Sequence, residues 1–252
     1  MLGSPELDIV KKGFEWLSHQ QINSVKELSS TVSAHAVWRL PDPYITQLIL
    51  KKGENGSWNY SIRDTSRACS ALSAEGIIFT SAERWLLARK NKDSWNEDVY
   101  DTAYALGALA DMKINNRDGC QWLYEHYCPA WEQVGTTSLI IIALKKQDIL
   151  SKGNDFGPFI RERAEWILSI KNQDGGWKYV STSNLAIHAL LLAGFKKGIE
   201  DSINWLLENV HKGGAWGNME EGINATALSL TTLGLYEAPE TPLSLRDLST
   251  QG

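Results

Sequence analysis

The chain has 252 residues, 43% of them hydrophobic, with a formal net charge of -5 and a pI near 5.6. That length suits one large core or a closed ring of repeats, and an acidic balance with Lys and Arg scattered along the chain excludes an electrostatic case for nucleic acid. No apolar run reaches the length of a membrane span, Leu139 to Leu144 being the longest, and Met1 to Pro5 has neither the charge nor the apolar core of a signal peptide, so no transmembrane segment is expected.

In chain order, apolar periodicity predicts helices in pairs. The first pair spans 7–21 and 29–40 and is stopped by Pro41 and Pro43. The second spans 44–52 and 64–75, closed by Gly76 as a left-handed cap. The third spans 81–90 and 101–113, the fourth 117–127 and 136–147. After a longer loop through Gly153 and Gly157 the fifth spans 159–171 and 182–193, capped by Gly194; the sixth spans 199–211 and 222–233, capped by Gly234. Residues 1–236 are thus expected to form one domain, and 237–252, with Pro239 and Pro242, an irregular tail. Three cysteines at unpatterned spacings, Cys69, Cys120 and Cys128, predict reduced and mostly buried thiols in a cytoplasmic protein.

The turns inside these pairs repeat one pattern, and the repeat decides the fold. Asn172-Gln173-Asp174-Gly175-Gly176-Trp177 is the fullest copy; the others end in Trp58, Trp95, Trp131 and Trp216. Before most of them stands an apolar pair, Trp85-Leu86, Trp122-Leu123, Trp166-Ile167 or Trp205-Leu206, and Trp16-Leu17 opens a degenerate first copy. Aligning the second helices on Ala-Leu and a terminal Gly makes Asp64, Asp101, Thr136, Thr182 and Gly222 the helix-opening N-caps. Leu40, Leu72, Leu109, Leu144, Leu190 and Leu230 then share a column that reads as core. Two further columns escape the packing rule and are expected to face a central cavity: His35, Arg67, Tyr104, Leu139, Leu185 and Ala225 in one, Trp38, Ser70, Gly107, Ile142, His188 and Leu228 in the other.

Helical hairpins of this kind stack as an open solenoid or close into a ring. The second helices are poor in charge along most of their length and must be buried nearly all round, which favours closure. The expected architecture is all-α: an (α/α)6 toroid, an inner ring sheathed by more polar outer helices, with each turn Trp plugging the seam between repeats.

Leu168-Ser169-Ile170-Lys171 and the following Asn172 to Trp177 resemble the Gln-Trp repeat of squalene and terpenoid cyclases and of protein prenyltransferase β-subunits, which share this toroid. Such a resemblance speaks for fold, because one fold hosts many functions. Class II terpenoid cyclases protonate an alkene or epoxide with the middle Asp of an Asp-x-Asp-Asp motif. Asp98-Val99-Tyr100-Asp101-Thr102-Ala103 is similar, with Asp98 and Asp101 matching the outer carboxylates and Tyr100 in place of the acid. A phenol with a pKa of about 10 is a poor acid for a carbon-carbon double bond. The same residues also resemble a Tyr-Asp-Thr-Ala-Trp segment of plant diterpene cyclases that is not the acid motif. Prenyltransferase β-subunits bind zinc through an Asp-x-Cys pair and a distant His; Asp118-Gly119-Cys120 and His188 match the letters but fail on frame, opening an outer helix that faces away from His188. Neither a metal nor a cofactor is expected, and no phosphate loop is present.

The resemblance leaves an interaction module and an enzyme as the readings. In the first the toroid lacks the usual acid and holds an apolar or isoprenoid-like molecule, or a partner protein. In the second it is a class II terpenoid cyclase, completed by a second chain supplying another barrel, with Asp98 or Asp101 as acid and Tyr104, Trp38 and Trp95 as aromatic walls. Capping is the simpler role for Asp101, with Asp98 an exposed first-turn carboxylate. Pairing with Asp64 is the simpler role for Arg67, and binding a diphosphate or carboxylate the sharper one.

Overall fold

The computed structural model describes residues 2–218 and 222–238, and among these twelve α-helices account for almost all regular structure. They are α1 (Ser4–Ser18), α2 (Val25–Trp38), α3 (Ile45–Leu50), α4 (Ile62–Ala74), α5 (Thr80–Leu87), α6 (Val99–Asp111), α7 (Arg117–Glu125), α8 (Val134–Ser151), α9 (Gly157–Ser169), α10 (Val180–Leu192), α11 (Glu200–Glu208) and α12 (Gly222–Glu237). Every predicted helix is present, with bounds displaced by at most four residues. The tail expected from 237 lies outside the described residues beyond Ala238.

The even-numbered helices form a closed ring: α2 packs on α4, α4 on α6, α6 on α8, α8 on α10, α10 on α12, and α12 back on α2. The odd-numbered helices sheath it, with α3 on α2, α5 on α4, α7 and α9 on α8, α11 on α10 and α1 on α12. The fold is the all-α toroid that the repeat predicts.

Tryptophan bolts the two layers together. Trp58, Trp95, Trp177 and Trp216 are each 2% exposed or less. A buried indole N–H needs an acceptor, and the last turn of a helix has carbonyls to spare. Accordingly Nε1 donates to Leu48 O (2.8 Å), Leu86 O (2.8 Å), Ile167 O (3.0 Å) and Leu206 O (2.7 Å) at the end of each outer helix. The backbone N–H of the same four residues donates to a hydroxyl in the inner helix that follows: Thr65, Thr102, Ser183 and Thr226, at 2.8–3.1 Å. Trp131 corrects the expectation that every turn Trp is a plug. Its turn, Pro129–Trp131, is a short 3-10 segment without glycine, and the half-buried ring leans on Trp122 at 5.7 Å.

In three of the turns glycine lets the loop grip the next repeat. Gly56, Gly175 and Gly214 have φ of 91°, 96° and 92°, and a Cβ on them would lie 2.4 Å from Ser81 O, 2.5 Å from Asp201 O and 2.6 Å from Lys12 O. The last of these contacts runs from the sixth turn to α1, so the degenerate first pair closes the jacket as well as the ring. Gly234 also serves closure. It lies inside α12 and is not the cap expected there; a Cβ would meet Val37 Cγ1 at 2.3 Å, so its absence lets α12 approach α2.

Some registers also need correction. The N-caps of α4 and α6 are Ser61 and Asp98, which accept from the backbone N–H of Asp64 (3.2 Å) and Asp101 (2.8 Å), while Gln133 and Tyr179 hold the cap positions of α8 and α10 without a side-chain bond. Asp64, Asp101, Thr136 and Thr182 therefore sit one turn inside their helices, while Gly222 is the first residue of α12. Leu72, Leu109, Leu144, Leu190 and Leu230 are fully buried, whereas Leu40 is 41% exposed beyond the end of α2. Alignment on Ala-Leu slipped there because the first repeat contains none.

Trp177→Ala should lower the unfolding free energy by about 3–5 kcal/mol in urea titration, and Trp131→Ala by less than half as much, because only the first empties a sealed site.

Candidate functional site

Each inner helix is covered by the jacket on one face and by ring neighbours on its flanks. A stripe at i, i+4, i+7 and i+11 is left facing the ring axis, and it carries most of the partial exposure of these helices. On α4 it is Arg63, Arg67, Ser70 and Ala74; on α6 Tyr100, Tyr104, Gly107 and Asp111; on α8 Gly135, Leu139, Ile142 and Lys146. The stripe continues as Ser181, Leu185, His188 and Leu192 on α10, Asn224, Leu228, Thr231 and Leu235 on α12, and Lys26, Ser30, Ser33 and Val37 on α2. It runs roughly 16 Å along the axis. The lumen is thereby amphipathic: α2, α4 and α6 contribute mainly polar groups, α8, α10 and α12 the leucines.

Of the residues expected on this face, Arg67, Ser70, Tyr104, Gly107, Leu139, Ile142, Leu185, His188 and Leu228 lie on it, whereas Ala225 is 1% exposed and lies off the stripe. His35 does not. Its ring points into the jacket between Phe14 (centroids 4.9 Å apart) and Tyr44 (5.8 Å), and Nδ1 is bonded to Thr31 O. It stands in the outward register that Leu72 and Leu109 hold in their helices, which is the same alignment slip that misplaced Leu40. Trp38 lies in the α12–α2 seam, with Nε1 donating to Leu230 O at 2.8 Å. Trp95 is a buried bolt and not a lumen wall.

The upper lumen is a lattice of ion pairs and aromatic faces. Asp101 Oδ1 accepts from Arg63 Nε at 2.6 Å and its Oδ2 from Asn96 Nδ2 at 2.8 Å. Asp98 Oδ1 accepts both from Arg63 Nη2 (3.0 Å) and from the Asp101 N–H, so the roles expected of the two aspartates are exchanged: Asp98 is the cap, Asp101 the first-turn carboxylate. One repeat earlier, Asp64 accepts from Arg67 Nη1 (3.2 Å) and Asn59 Nδ2 (3.0 Å). Burial works against the Arg63 charge, but the hydrogen bonds and charges of Asp101 and Asp98 outweigh it and raise its pKa. The guanidinium carbons of Arg63 and Arg67 lie 5.1 Å and 4.5 Å over the rings of Tyr100 and Tyr104. Tyr100 OH bonds Thr136 Oγ1 at 2.8 Å. A cleft of about 560 Å³ beside this lattice, lined by Tyr60, Arg63, Arg89, Asn96 and Asp101 among others, lies where α4 and α6 begin.

The lower lumen holds groups that the sequence reading did not single out. Lys146 Nζ donates to Asp111 Oδ2 at 2.7 Å across α8 and α6. His188 sits beside them on α10, where burial, assisted by the Lys146 charge, pushes its pKa down to about 3. The signal was available: Asp111 and Lys146 occupy the same register, thirteen residues past the cap positions Asp98 and Gln133. Arg63 was legible in the same way, four residues before Arg67 on one helical face.

Asp118 and Cys120 sit on α7, the first exposed with its carboxylate 3.7 Å from Lys90 Nζ, the second buried in the jacket, so they and His188 occupy different layers. Burial pushes the Cys69 and Cys120 thiols up to about 12, and Cys128 is also free.

Solved structures share this architecture. The ent-copalyl diphosphate synthase from Streptomyces platensis superposes with a TM-score of 0.65 at 14% identity, over 85% of this chain and 50% of that one. A variant of the type II terpene cyclase MstE from Scytonema, in complex with geranylgeranyl dihydroxybenzoate as substrate, superposes with a TM-score of 0.68 at 14% identity, over 92% and 97% of the two chains. Apo MstE gives 0.64 at 14%, over 91% and 97%. The chain thus spans half the length of the synthase and nearly all of MstE. No family model and no curated protein matches it. What these structures share with the chain is the fold of class II terpene cyclases.

Asp98→Ala should cost about 1 kcal/mol through the lost cap of α6, with Asp98→Ser restoring most of it in thermal unfolding. The native state also refuses His188 a proton that the unfolded chain accepts at its ordinary pKa of about 6.5. Stability therefore falls as pH drops from about 6.5 towards 3. His188→Leu should remove that component, shifting the balance towards the variant by about 1.5 kcal/mol between pH 6.5 and 5 in paired urea titrations.

Proposed function

We propose that the lumen binds an isoprenoid-like, largely apolar molecule and holds it without protonating it. What carries this reading is the state of the carboxylates. Asp64 and Asp101 accept hydrogen bonds on both oxygens, Asp98 accepts two on Oδ1, and Asp111 is paired with Lys146. A carboxylate that accepts from a guanidinium or an ammonium is the ionised form, whereas alkene protonation needs a neutral acid with its O–H aimed at carbon. Tyr100, at the place of the middle acid, shares a hydrogen bond between its hydroxyl and that of Thr136.

The aromatic faces are engaged too. A cationic intermediate is stabilised by open π-faces, but Arg63 and Arg67 already cover Tyr100 and Tyr104. The leucine wall of Leu139, Leu185 and Leu228 suits a hydrocarbon instead, and MstE, which shares the fold, is solved with a geranylgeranyl compound.

A specific observation keeps the cyclase reading alongside. The chain covers 97% of MstE, so one toroid spans almost the whole of a type II terpene cyclase and a second barrel is not a requirement. A partner protein is the alternative occupant to the apolar molecule, and the cytoplasm is the proposed setting for either. Among the described residues no helix is long and apolar enough to cross a membrane.

Incubation with geranylgeranyl diphosphate, farnesyl diphosphate and squalene, followed by product analysis and thermal-shift titration, separates the two. Saturable stabilisation with no cyclised product is expected. A product that disappears in Asp98→Asn or Asp101→Asn, with the fold intact, would establish the cyclase and end the non-catalytic reading.

A further inference from the structure

The lower lumen contains an imidazole with no hydrogen bond. His188 lies on the axial stripe of α10, one turn below Leu185 and one above Leu192, with Ile142 and Lys146 on the neighbouring α8. Its neighbours on α8 and α6 are already committed to one another: Lys146 Nζ holds Asp111 Oδ2 at 2.7 Å, with the side chains 20% and 24% exposed. The charge next to His188 is thus spent within the wall. Burial and that lysine also keep the ring neutral, so it offers one N–H and one lone pair. His188 is half-buried and its ring nitrogens are not sealed off, so a molecule in the lumen can supply the partner that the wall does not.

The complement of such a site is an uncharged group that both donates and accepts. A cation would meet the Lys146 ammonium, and an anion would have to displace Asp111 from it. A hydroxyl satisfies either tautomer of the imidazole. Building on the proposal that the lumen holds an isoprenoid-like molecule, we infer that the lower lumen recognises an alcohol group on that molecule, with His188 as its hydrogen-bond partner. The apolar skeleton then lies along Leu185, Leu139 and Leu228, below the ion-pair lattice of Arg63 and Arg67.

The experiment is a competition between geranylgeraniol and the matching C20 hydrocarbon that lacks the hydroxyl. Both are delivered from cyclodextrin to the full chain and followed by isothermal titration. The alcohol should bind about tenfold more tightly, the size of effect expected of one buried hydrogen bond. His188→Leu should abolish that preference while hydrocarbon affinity persists, and His188→Gln, which keeps a donor and an acceptor, should restore part of it. Equal affinities in the wild type, or a preference that survives His188→Leu, would overturn the inference and leave lumen binding standing. If neither compound binds, the reading of the lumen as a ligand site fails, and this inference with it.

Discussion

A tryptophan bonded at both ends is the constraint on which this molecule depends. Its indole N–H uses a carbonyl that the end of the outer helix cannot satisfy internally, and its backbone N–H uses a hydroxyl on the inner helix that follows. Two obligatory polar groups are satisfied while the largest side chain leaves water. Each such bolt fixes the angle between an outer and an inner helix, and repetition of the angle carries the chain around the ring. The fourth copy shows what the motif requires. In a 3-10 turn with no residue at positive φ, Trp131 does not enter the seam, and that turn relies instead on aromatic contact with Trp122.

Closure then dictates the chemistry of the centre. A helix in a solenoid has a face open to bulk water, but here that face looks onto five others across a narrow lumen. A lone charge in such a space loses hydration without gaining a partner. The lumen accordingly carries its charges as neighbours across adjacent helices, Arg63 with Asp101 and Lys146 with Asp111, and roofs two of its tyrosines with guanidinium groups. These pairs knit inner helices together. His188 lies on this wall without a side-chain hydrogen bond, as do Ser33 and Ser70 at the same level of the stripe.

The resemblance between Asp98-Val99-Tyr100-Asp101-Thr102-Ala103 and an acid motif has a local physical origin. An acceptor at the first position caps α6, a hydroxyl at the fifth bonds the Trp95 backbone, and the fourth position ties Asn96 to the turn. Ser61-Ile62-Arg63-Asp64-Thr65 does the same work one repeat earlier, with Asn59 and Trp58 as partners. Much of such a motif is therefore turn and helix-start chemistry common to the repeat. Only its third position, Tyr100 or Arg63, lies on the axial stripe itself.

The helices, their pairing, the buried tryptophans and the closed ring were legible in the sequence, because each arises from local periodicity and from a turn whose glycines and Trp have few alternative uses. So was much of the axial face, since Arg67, Tyr104, Leu139, Leu185 and Leu228 depart from a packing column that their neighbours obey. What the sequence alone could not fix was register and partnership. Leu40 and His35 were misplaced because the first repeat lacks the Ala-Leu and Gly used for alignment, and cap geometry sets its true phase: Ser24 accepts from Glu27 N and starts α2 at Val25. Nor does linear spacing show that Lys146 meets Asp111 thirty-five residues away, or that Arg63 spans Asp98 and Asp101. Those contacts exist only once the ring brings consecutive inner helices side by side, and they decide which lumen groups are already bonded to one another.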